Sequence, residues 1–148
     1  MTSTRYTPTS MNIELTTNCP LSCPQCYCQL IGGKNIDLHK ALYWIKEAGR
    51  FGLKQVRLSG GETLCYPYIY EVIAAAHKYC GEAVVALSGF NFTQDVYDKL
   101  VDAGVTEIHI SLNGSTEKIN SLTRGGFELS LSALKLLKRN SFPHTWIL

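Results

Sequence analysis

The sequence predicts an α/β domain built on a parallel sheet, and three observations indicate this fold class. Short strand-like segments alternate with longer segments whose apolar residues recur at helical spacing. Glycine, proline and capping residues separate the segments, so that each strand is followed by a helix, as in right-handed βαβ units. With 148 residues, 45% of them hydrophobic, the chain is long enough to form one domain with a substantial core.

The first strand–helix unit and the second strand are predicted from alternation and from a helix cap. Residues 11–15 alternate apolar and polar side chains, which is typical of a strand. Asp37 is the predicted N-cap of a helix that has one apolar face and ends near Gly49. A second strand is expected at residues 55–58.

The middle of the chain predicts two further helices around a buried strand. Pro67 suits the first turn of the second helix, and Gly81 is its stop signal. Residues 83–87 form a short apolar run, which is typical of a strand buried on both faces. Thr93 is the predicted cap of the third helix, which Gly104 closes.

The last third of the chain predicts a fourth unit and the beginning of a fifth. A strand is expected at 107–111 and a helix at 127–137, and the final residues resemble the start of a strand. Because nothing follows that strand, we expect the chain to be an N-terminal fragment of a longer protein. We also expect residues 1–10 to form a flexible N-terminal segment and residues 11–148 to form the domain, truncated at its C-terminal end.

Three cysteines directly after the first strand predict a reactive metal centre. Cys19, Cys23 and Cys26 follow the spacing C-x3-C-x2-C. Cubane iron–sulfur clusters usually take four cysteine ligands, so a loop that offers three leaves one iron open for chemistry. Zinc is the alternative for this loop, with Cys28 as a possible fourth ligand, although zinc sites favour C-x2-C pairs that lie apart in the sequence.

Glycine and polar residues follow the other predicted strands. They are Gly60, Gly61 and Glu62 after the second strand, Ser88 and Gly89 after the third, and Ser111 and Asn113 after the fourth. Ligands of parallel α/β sheets bind at the carboxyl ends of the strands, where all these residues would meet the cysteine loop. A glycine pair also lets a ligand approach the backbone closely, although it equally suits an ordinary turn.

The cysteine spacing, joined to Ser59-Gly60-Gly61-Glu62-Thr63, resembles the radical S-adenosylmethionine (radical SAM) family. The resemblance implies a partial (βα) barrel, of which about four units and the start of a fifth strand are visible. It implies a [4Fe–4S] cluster on the three cysteines, with SAM on the remaining iron. Reductive cleavage of SAM then yields a 5'-deoxyadenosyl radical that abstracts a hydrogen atom.

The resemblance also implies contacts to SAM. The segment from Gly60 to Glu62 would hold its amino group, Ser88 would lie near SAM, and Ser111 would meet its ribose or carboxylate. Arg124 would pair with its carboxylate, with a solvated arginine as the alternative. Asn113 would meet the ribose or carboxylate, although Asn113-Gly114 is equally a turn signal. An aromatic residue often precedes the third cysteine and packs near the adenine; here Gln25 takes that position, and Tyr27 either packs there instead or belongs to the core.

The segment 111–128 resembles the branch of the family that modifies peptides or proteins. A peptide or protein substrate and a low-potential electron donor such as a flavodoxin or ferredoxin are therefore implied partners. A glycyl-radical enzyme activase is a second enzymatic hypothesis. A non-catalytic zinc or iron–sulfur binding module is the hypothesis from a different class, and iron and sulfide analysis separates it from the first two.

Composition narrows the remaining function classes. The formal net charge is only +2, so we expect no nucleic-acid partner. No apolar stretch is long enough to cross a bilayer, and the first ten residues lack the apolar core of a signal peptide. Six cysteines without a secretion signal favour metal binding in a reducing compartment, which predicts a cytoplasmic protein.

Overall fold

Five parallel strands form one sheet in the order in which they occur along the chain. The structure is a computed structural model that describes residues 8–26, 28 and 32–148. The strands are β1 (Ser10–Thr16), β2 (Gln55–Gly60), β3 (Glu82–Leu87), β4 (Glu107–Ile110) and β5 (Thr145–Ile147). The predicted α/β class and its parallel sheet are therefore confirmed. Ser10, expected in the N-terminal segment, is the first residue of β1 and pairs with Gln55.

Helices follow the strands as the sequence predicts. They are α1 (Leu38–Arg50), α2 (Ile69–Cys80), α3 (Gln94–Asp102), α4 (Glu117–Asn120) and α5 (Phe127–Arg139), with a 3₁₀ turn at Thr63–Cys65. The predicted caps hold: the Asp37 side chain accepts from the Lys40 amide at 3.0 Å, and Thr93 accepts from the Val96 amide at 3.3 Å. Pro67 does not open α2 as expected, because that helix begins two residues later.

Alternate residues of the strands pack under the helices and form the core. On β1 and β2 these are Ile13, Leu15, Val56 and Leu58, each at most 4% exposed. They pack with apolar residues of the helices, among them Ile45 of α1. Burying one such side chain contributes about 1.5–3 kcal/mol, so this layer supplies the main driving force for folding.

Strand β3 has buried residues on both of its faces. Val84 is 1% exposed although it points away from the layer that contains Ala83 and Val85. The prediction of a strand buried on both faces is thereby confirmed.

No helix among residues 8–26, 28 and 32–148 has the length and apolarity needed to cross a membrane.

Candidate functional site

A cavity of about 350 Å³ opens at the carboxyl edge of the sheet. Nine predicted site residues contribute to its wall, namely Cys19, Cys23, Gln25, Cys26, Gly60, Gly61, Ser88, Ser111 and Arg124. These residues come from the loops that follow β1, β2, β3 and β4. The structure thus brings together most of the residues that the sequence places at separate strand ends.

The three cysteines of the motif share one wall of this cavity. Cys23 is 8% exposed, and Cys19 and Cys26 are half-buried. Burial raises the pKa of the Cys19 thiol, and the nearby Glu62, Cys23 and Cys26 raise it further, against a lowering hydrogen bond from the Leu21 backbone. The Cys19 thiol therefore lies within electrostatic reach of the other two.

Within the described part of the chain, no three His, Cys, Asp or Glu side chains converge as ligands of a single metal ion. A [4Fe–4S] cluster does not require such convergence, because each of its cysteine ligands binds a different iron. Three thiols on one wall of a cavity are a suitable donor set for such a cluster. On this ground, Cys19, Cys23 and Cys26 fit the cluster that the family resemblance implies.

The glycine pair after β2 is required by the close passage of the chain segment that follows β1. The Gly61 amide donates to the Thr16 carbonyl at 2.7 Å, and the Glu62 amide donates to the Asn18 carbonyl at 2.8 Å. A Cβ atom on Gly61 would lie 2.4 Å from the Asn18 carbonyl oxygen, and one on Gly60 would lie 2.2 Å from that of Thr16. Ligand approach and an ordinary turn were the two interpretations of the glycine pair, and the structure adds a third requirement, which is packing against the base of the cysteine loop.

The same two hydrogen bonds orient the backbone carbonyls of the pair. In a trans peptide the N–H and the C=O point in opposite directions. Because the Gly61 and Glu62 amides point at the segment after β1, the carbonyls of Gly60 and Gly61 point away from it. Both glycines also line the cavity, so their backbone is accessible to a bound molecule.

Glu62 is buried, being 1% exposed, and protein donors engage its carboxylate. Oε2 accepts from the Ser88 amide at 2.9 Å and from the Ser88 hydroxyl, and Oε1 accepts from the Leu64 amide at 3.2 Å. Burial raises the pKa of Glu62 above its ordinary value, while the hydrogen bonds from Ser88 oppose that shift. Glu62 is absent from the cavity wall, and its carboxylate joins the loop after β2 to the end of β3.

Asn113 positions a cavity residue without itself lining the cavity. Its side-chain oxygen accepts from Nε of Arg124 at 2.9 Å, and its backbone amide donates to the Asn120 side chain at 2.8 Å. The Asn120 amide group in turn donates to the Arg124 carbonyl at 2.8 Å. Asn120, which the sequence analysis did not single out, is therefore the buried centre of the loop between β4 and α5.

Comparison with known proteins identifies the family. The sequence model described as the radical SAM superfamily matches residues 13–148, which is nearly the whole chain. The chain belongs to the radical SAM superfamily. It is 32% identical to a PqqA peptide cyclase of Ruegeria pomeroyi over 145 residues, which is 93% of this chain and 38% of that protein. It is 28% identical to an AdoMet-dependent heme synthase of Methanosarcina barkeri over 88% of this chain and 39% of that protein.

A solved structure supports the barrel assignment. The crystal structure of Streptococcus suis SuiB bound to its precursor peptide SuiA matches 95% of this chain and 32% of SuiB, with a TM-score of 0.78 and 20% identity. This likeness confirms the fold, a partial barrel of the radical SAM type. The chain spans about two fifths of the length of the two relatives and one third of SuiB.

One further residue of this radical SAM site was missed by the sequence analysis. The buried Ser130 hydroxyl lies 2.9 Å from the carbonyls of Ser88 and Ser111, and 3.1 Å from that of Gly126. It therefore connects the ends of β3 and β4 to the start of α5. A small polar residue in phase with the buried Ala133 and Leu137 was the available signal.

The two candidate adenine contacts have different outcomes. Gln25 is exposed and contributes to the cavity wall, close to the motif cysteines. Tyr27 lies outside the described residues.

Of the other cysteines, Cys80 behaves as a buried core residue packed beneath α1, with its thiol 3.7 Å from the Ile45 carbonyl.

Proposed function

We propose that this chain is the cofactor-binding part of a radical SAM enzyme that acts on a peptide or a protein. The observation that carries the proposal is the cavity at the carboxyl edge of the sheet, which gathers the three motif cysteines, the glycine pair, Ser111 and Arg124. Thiols, accessible backbone carbonyls and a guanidinium are complementary to a cluster, an ammonium group and a carboxylate respectively.

Cys19, Cys23 and Cys26 would each bind one iron of a [4Fe–4S] cluster and leave the fourth iron for SAM. When bound, this cluster supplies the electron that cleaves SAM into methionine and a 5'-deoxyadenosyl radical, which abstracts a hydrogen atom from the substrate. A low-potential donor such as a flavodoxin or ferredoxin is part of the proposal. Six cysteines fit a reducing compartment, so we place the protein in the cytoplasm.

The remaining cavity residues would bind and orient SAM. The carbonyls of Gly60 and Gly61 would accept from its ammonium group, and an ionised Glu62 would favour that positive charge. Arg124 has its Nε on Asn113, and its guanidinium would pair with the SAM carboxylate. Ser88 and Ser111 also line the cavity and would lie close to the bound SAM. Gln25, with Tyr27 beside the third cysteine, would face the adenine.

The substrate class rests on the relatives. One relative is named a PqqA peptide cyclase, and SuiB was crystallised with a precursor peptide. Another relative of comparable identity is named a heme synthase, so the shared region reports on cofactor binding more strongly than on substrate. We favour a peptide because the more similar of these two relatives is the peptide cyclase.

Anaerobic reconstitution followed by iron and sulfide analysis tests the cluster. We expect four irons and four sulfides per chain, and near-complete loss of cluster absorbance in Cys23→Ala. Cys80→Ala is the matched control, because Cys80 is also buried but lies in the core beneath α1. A triple Cys19, Cys23 and Cys26 alanine variant that still takes up four irons would contradict the assignment. Zinc in place of iron would support the non-catalytic module.

Calorimetry with the reconstituted protein tests the SAM contacts. We expect Arg124→Ala to weaken SAM binding at least tenfold, about 1.4 kcal/mol, because a charge-assisted hydrogen bond is lost. Arg139→Ala, at the far end of α5, is the control and should leave the affinity unchanged. Equal affinities in the two variants would contradict the placement of the carboxylate.

Transfer of a radical to a partner protein, with no modified peptide, would instead identify a glycyl-radical activase.

A further inference from the structure

One contact joins the cysteine loop to the loop before α5, which also contributes Arg124 to the cavity. The backbone amide of Gly125, between β4 and α5, donates to Sγ of Cys23 at 3.4 Å. The two residues are 102 positions apart in the sequence, and Cys23 is 8% exposed. This contact therefore depends on the completed fold, and it is partly buried.

The peptide unit that carries this amide is held at both ends. The carbonyl of Arg124 and the amide of Gly125 belong to the same planar group and point in opposite directions. The carbonyl accepts from the Asn120 side chain at 2.8 Å, while the amide donates to Cys23. The Arg124 amide also donates to the Asn120 carbonyl at 2.8 Å. Asn120, 1% exposed, thus aims the Gly125 amide at the sulfur atom.

We infer that the Arg124–Gly125 peptide is a positioning element that raises the reduction potential of the cluster held by Cys19, Cys23 and Cys26. The inference rests on the proposed function, because it assumes that the cluster binds there. Hydrogen bonds to ligand sulfurs tune the potentials of iron–sulfur clusters. Reduction adds one electron and hence one negative charge, so a donor aimed at a ligand sulfur stabilises the reduced form more than the oxidised form.

The arrangement strengthens this donor in two ways. A carbonyl that accepts a hydrogen bond polarises its own peptide group, so the Asn120 contact makes the Gly125 amide a better donor. The small exposure of Cys23 limits the access of competing water to its sulfur, and electrostatic interactions are stronger where less water is present. The electron itself comes from the low-potential donor, and the peptide only shifts the equilibrium between the two cluster states.

Two substitutions of Gly125 distinguish the effect of losing the N–H from the effect of adding a side chain. A Cβ atom at Gly125 would have no heavy atom within 4 Å, and the residue does not need a left-handed conformation. Gly125→Ala therefore keeps the N–H and adds a methyl group that meets no other atom. Gly125→Pro removes the N–H at the same position. The two variants and the parent protein are reconstituted anaerobically, assayed for iron and sulfide, and titrated electrochemically with detection of the reduced cluster by paramagnetic resonance.

We expect all three proteins to carry four irons. At a fixed applied potential, the ratio of reduced to oxidised cluster should fall about tenfold in Gly125→Pro, which corresponds to about 59 mV for one electron, and should stay unchanged in Gly125→Ala. A fall of less than about threefold relative to Gly125→Ala would overturn the inference. If even the parent protein binds no iron, the proposed function fails, which is a different result from a loaded cluster with an unaltered potential.

A second pair of variants covers the case in which the proline variant does not fold. Asn120→Asp keeps the acceptor for the Asn113 amide but replaces the donor to the Arg124 carbonyl with a carboxylate oxygen. It should lower the reduced fraction in the same direction. Asn140→Asp is its control at the C-terminal end of α5, where the Asn140 side chain donates to the Leu136 carbonyl. Equal potentials in these two variants would also overturn the inference.

Discussion

The two edges of the sheet differ in the burial of their polar side chains. Among the described residues, the buried polar side chains other than His109 lie at the carboxyl edge or in the loops beyond it, and they are Thr16, Glu62, Thr63, Ser88, Ser111, Asn120 and Ser130. At the amino edge, the side chains of Gln55 and Glu82 instead form an exposed hydrogen bond at 3.0 Å. A buried donor or acceptor left unpaired costs about 1–3 kcal/mol, whereas an exposed group can turn to water.

The carboxyl edge therefore couples the stability of the fold to the shape of the site. Thr63 Oγ1 donates to the Ala86 carbonyl at 2.7 Å, Ser88 donates to Glu62, and Ser130 lies between the ends of β3 and β4. Each bond joins one loop of the cavity to the neighbouring strand. We expect substitutions here to weaken folding and to distort the cavity together, while equivalent changes at the amino edge weaken folding less and leave the cavity unaltered.

The largest effect is expected for a pair of glycines at the two ends of β3. Gly81 and Gly89 share a φ of +93°, which side chains rarely adopt. A Cβ on Gly81 would meet no atom within 4 Å, but one on Gly89 would lie 2.4 Å from the Leu129 carbonyl oxygen. Alanine should cost about 1–3 kcal/mol at Gly81 from backbone strain, and about 1–3 kcal/mol more at Gly89 from overpacking.

Urea unfolding of the two alanine variants measures this difference directly. We also expect Gly89→Ala, but not Gly81→Ala, to reduce iron uptake, because the displaced start of α5 leads back to the loop that contacts Cys23. Equal losses of unfolding free energy at the two glycines would show that the carboxyl edge is no more tightly packed than the amino edge.

A pair of asparagines, Asn120 at the end of α4 and Asn140 directly after α5, tests the buried hydrogen bonds. Asn120→Ala leaves the Asn113 amide and the Arg124 carbonyl without their partner, so we expect a loss of about 2–3 kcal/mol. Asn140 also bonds the backbone, at the Leu136 carbonyl, but it is half-buried and water can replace it. Asn140→Ala should cost less than about 1 kcal/mol. Thermal or urea unfolding giving the reverse order would contradict the comparison.

The buried Glu62 predicts a pH dependence of stability. Its pKa is raised above the ordinary value of 4.5 chiefly by burial, so the folded state retains the proton at pH values where the unfolded state has released it. Stability therefore falls as the pH rises from about 4.5 to the folded-state pKa, by at most about 1.4 kcal/mol per pH unit, and is level above it.

Urea unfolding between pH 4 and pH 7 measures this contribution against Glu62→Gln, which cannot titrate at that position. We expect the stability of the parent protein relative to Glu62→Gln to decrease with rising pH. Glu82→Gln at the amino edge is the control, and it should follow the parent protein because Glu82 is exposed. A relative stability that rises with pH would mean that the hydrogen bonds from Ser88 outweigh the burial.

The regular elements were predictable because their signals are local. Asp37 and Thr93 lie at the helix starts that the sequence indicates, and both caps are confirmed. The 3₁₀ turn and α4 were missed because three or four residues show no helical period. They are held by the side chains of Glu62 and Thr116, which accept from the amides of Leu64 and Ile119.

The members of the site were more predictable than their roles. The motif cysteines and Gly61 line the cavity as expected from their positions after parallel strands. The sequence motifs could not show that Gly61 packs against the Asn18 backbone, because the two residues are 43 positions apart in the sequence. Ser130 acts through the carbonyls of Ser88 and Ser111, which are 42 and 19 positions away, and its sequence phase alone could not name these partners. Asn120 bonds Asn113 and Arg124 within one irregular loop, whose path no apolar period indicates.

The smallest effect is expected at the amino edge. Gln55 donates to Glu82 at 3.0 Å and accepts from Nε of Arg57 at 2.9 Å, and both contacts are exposed. Because all three side chains can bond water instead, Gln55→Ala should change the free energy of unfolding by no more than about 0.5 kcal/mol and leave iron uptake unaltered. Urea unfolding checks the first expectation and iron analysis the second. A cost as large as that of Asn120→Ala would mean that the amino edge also depends on specific polar contacts, and the contrast between the two edges would then fail.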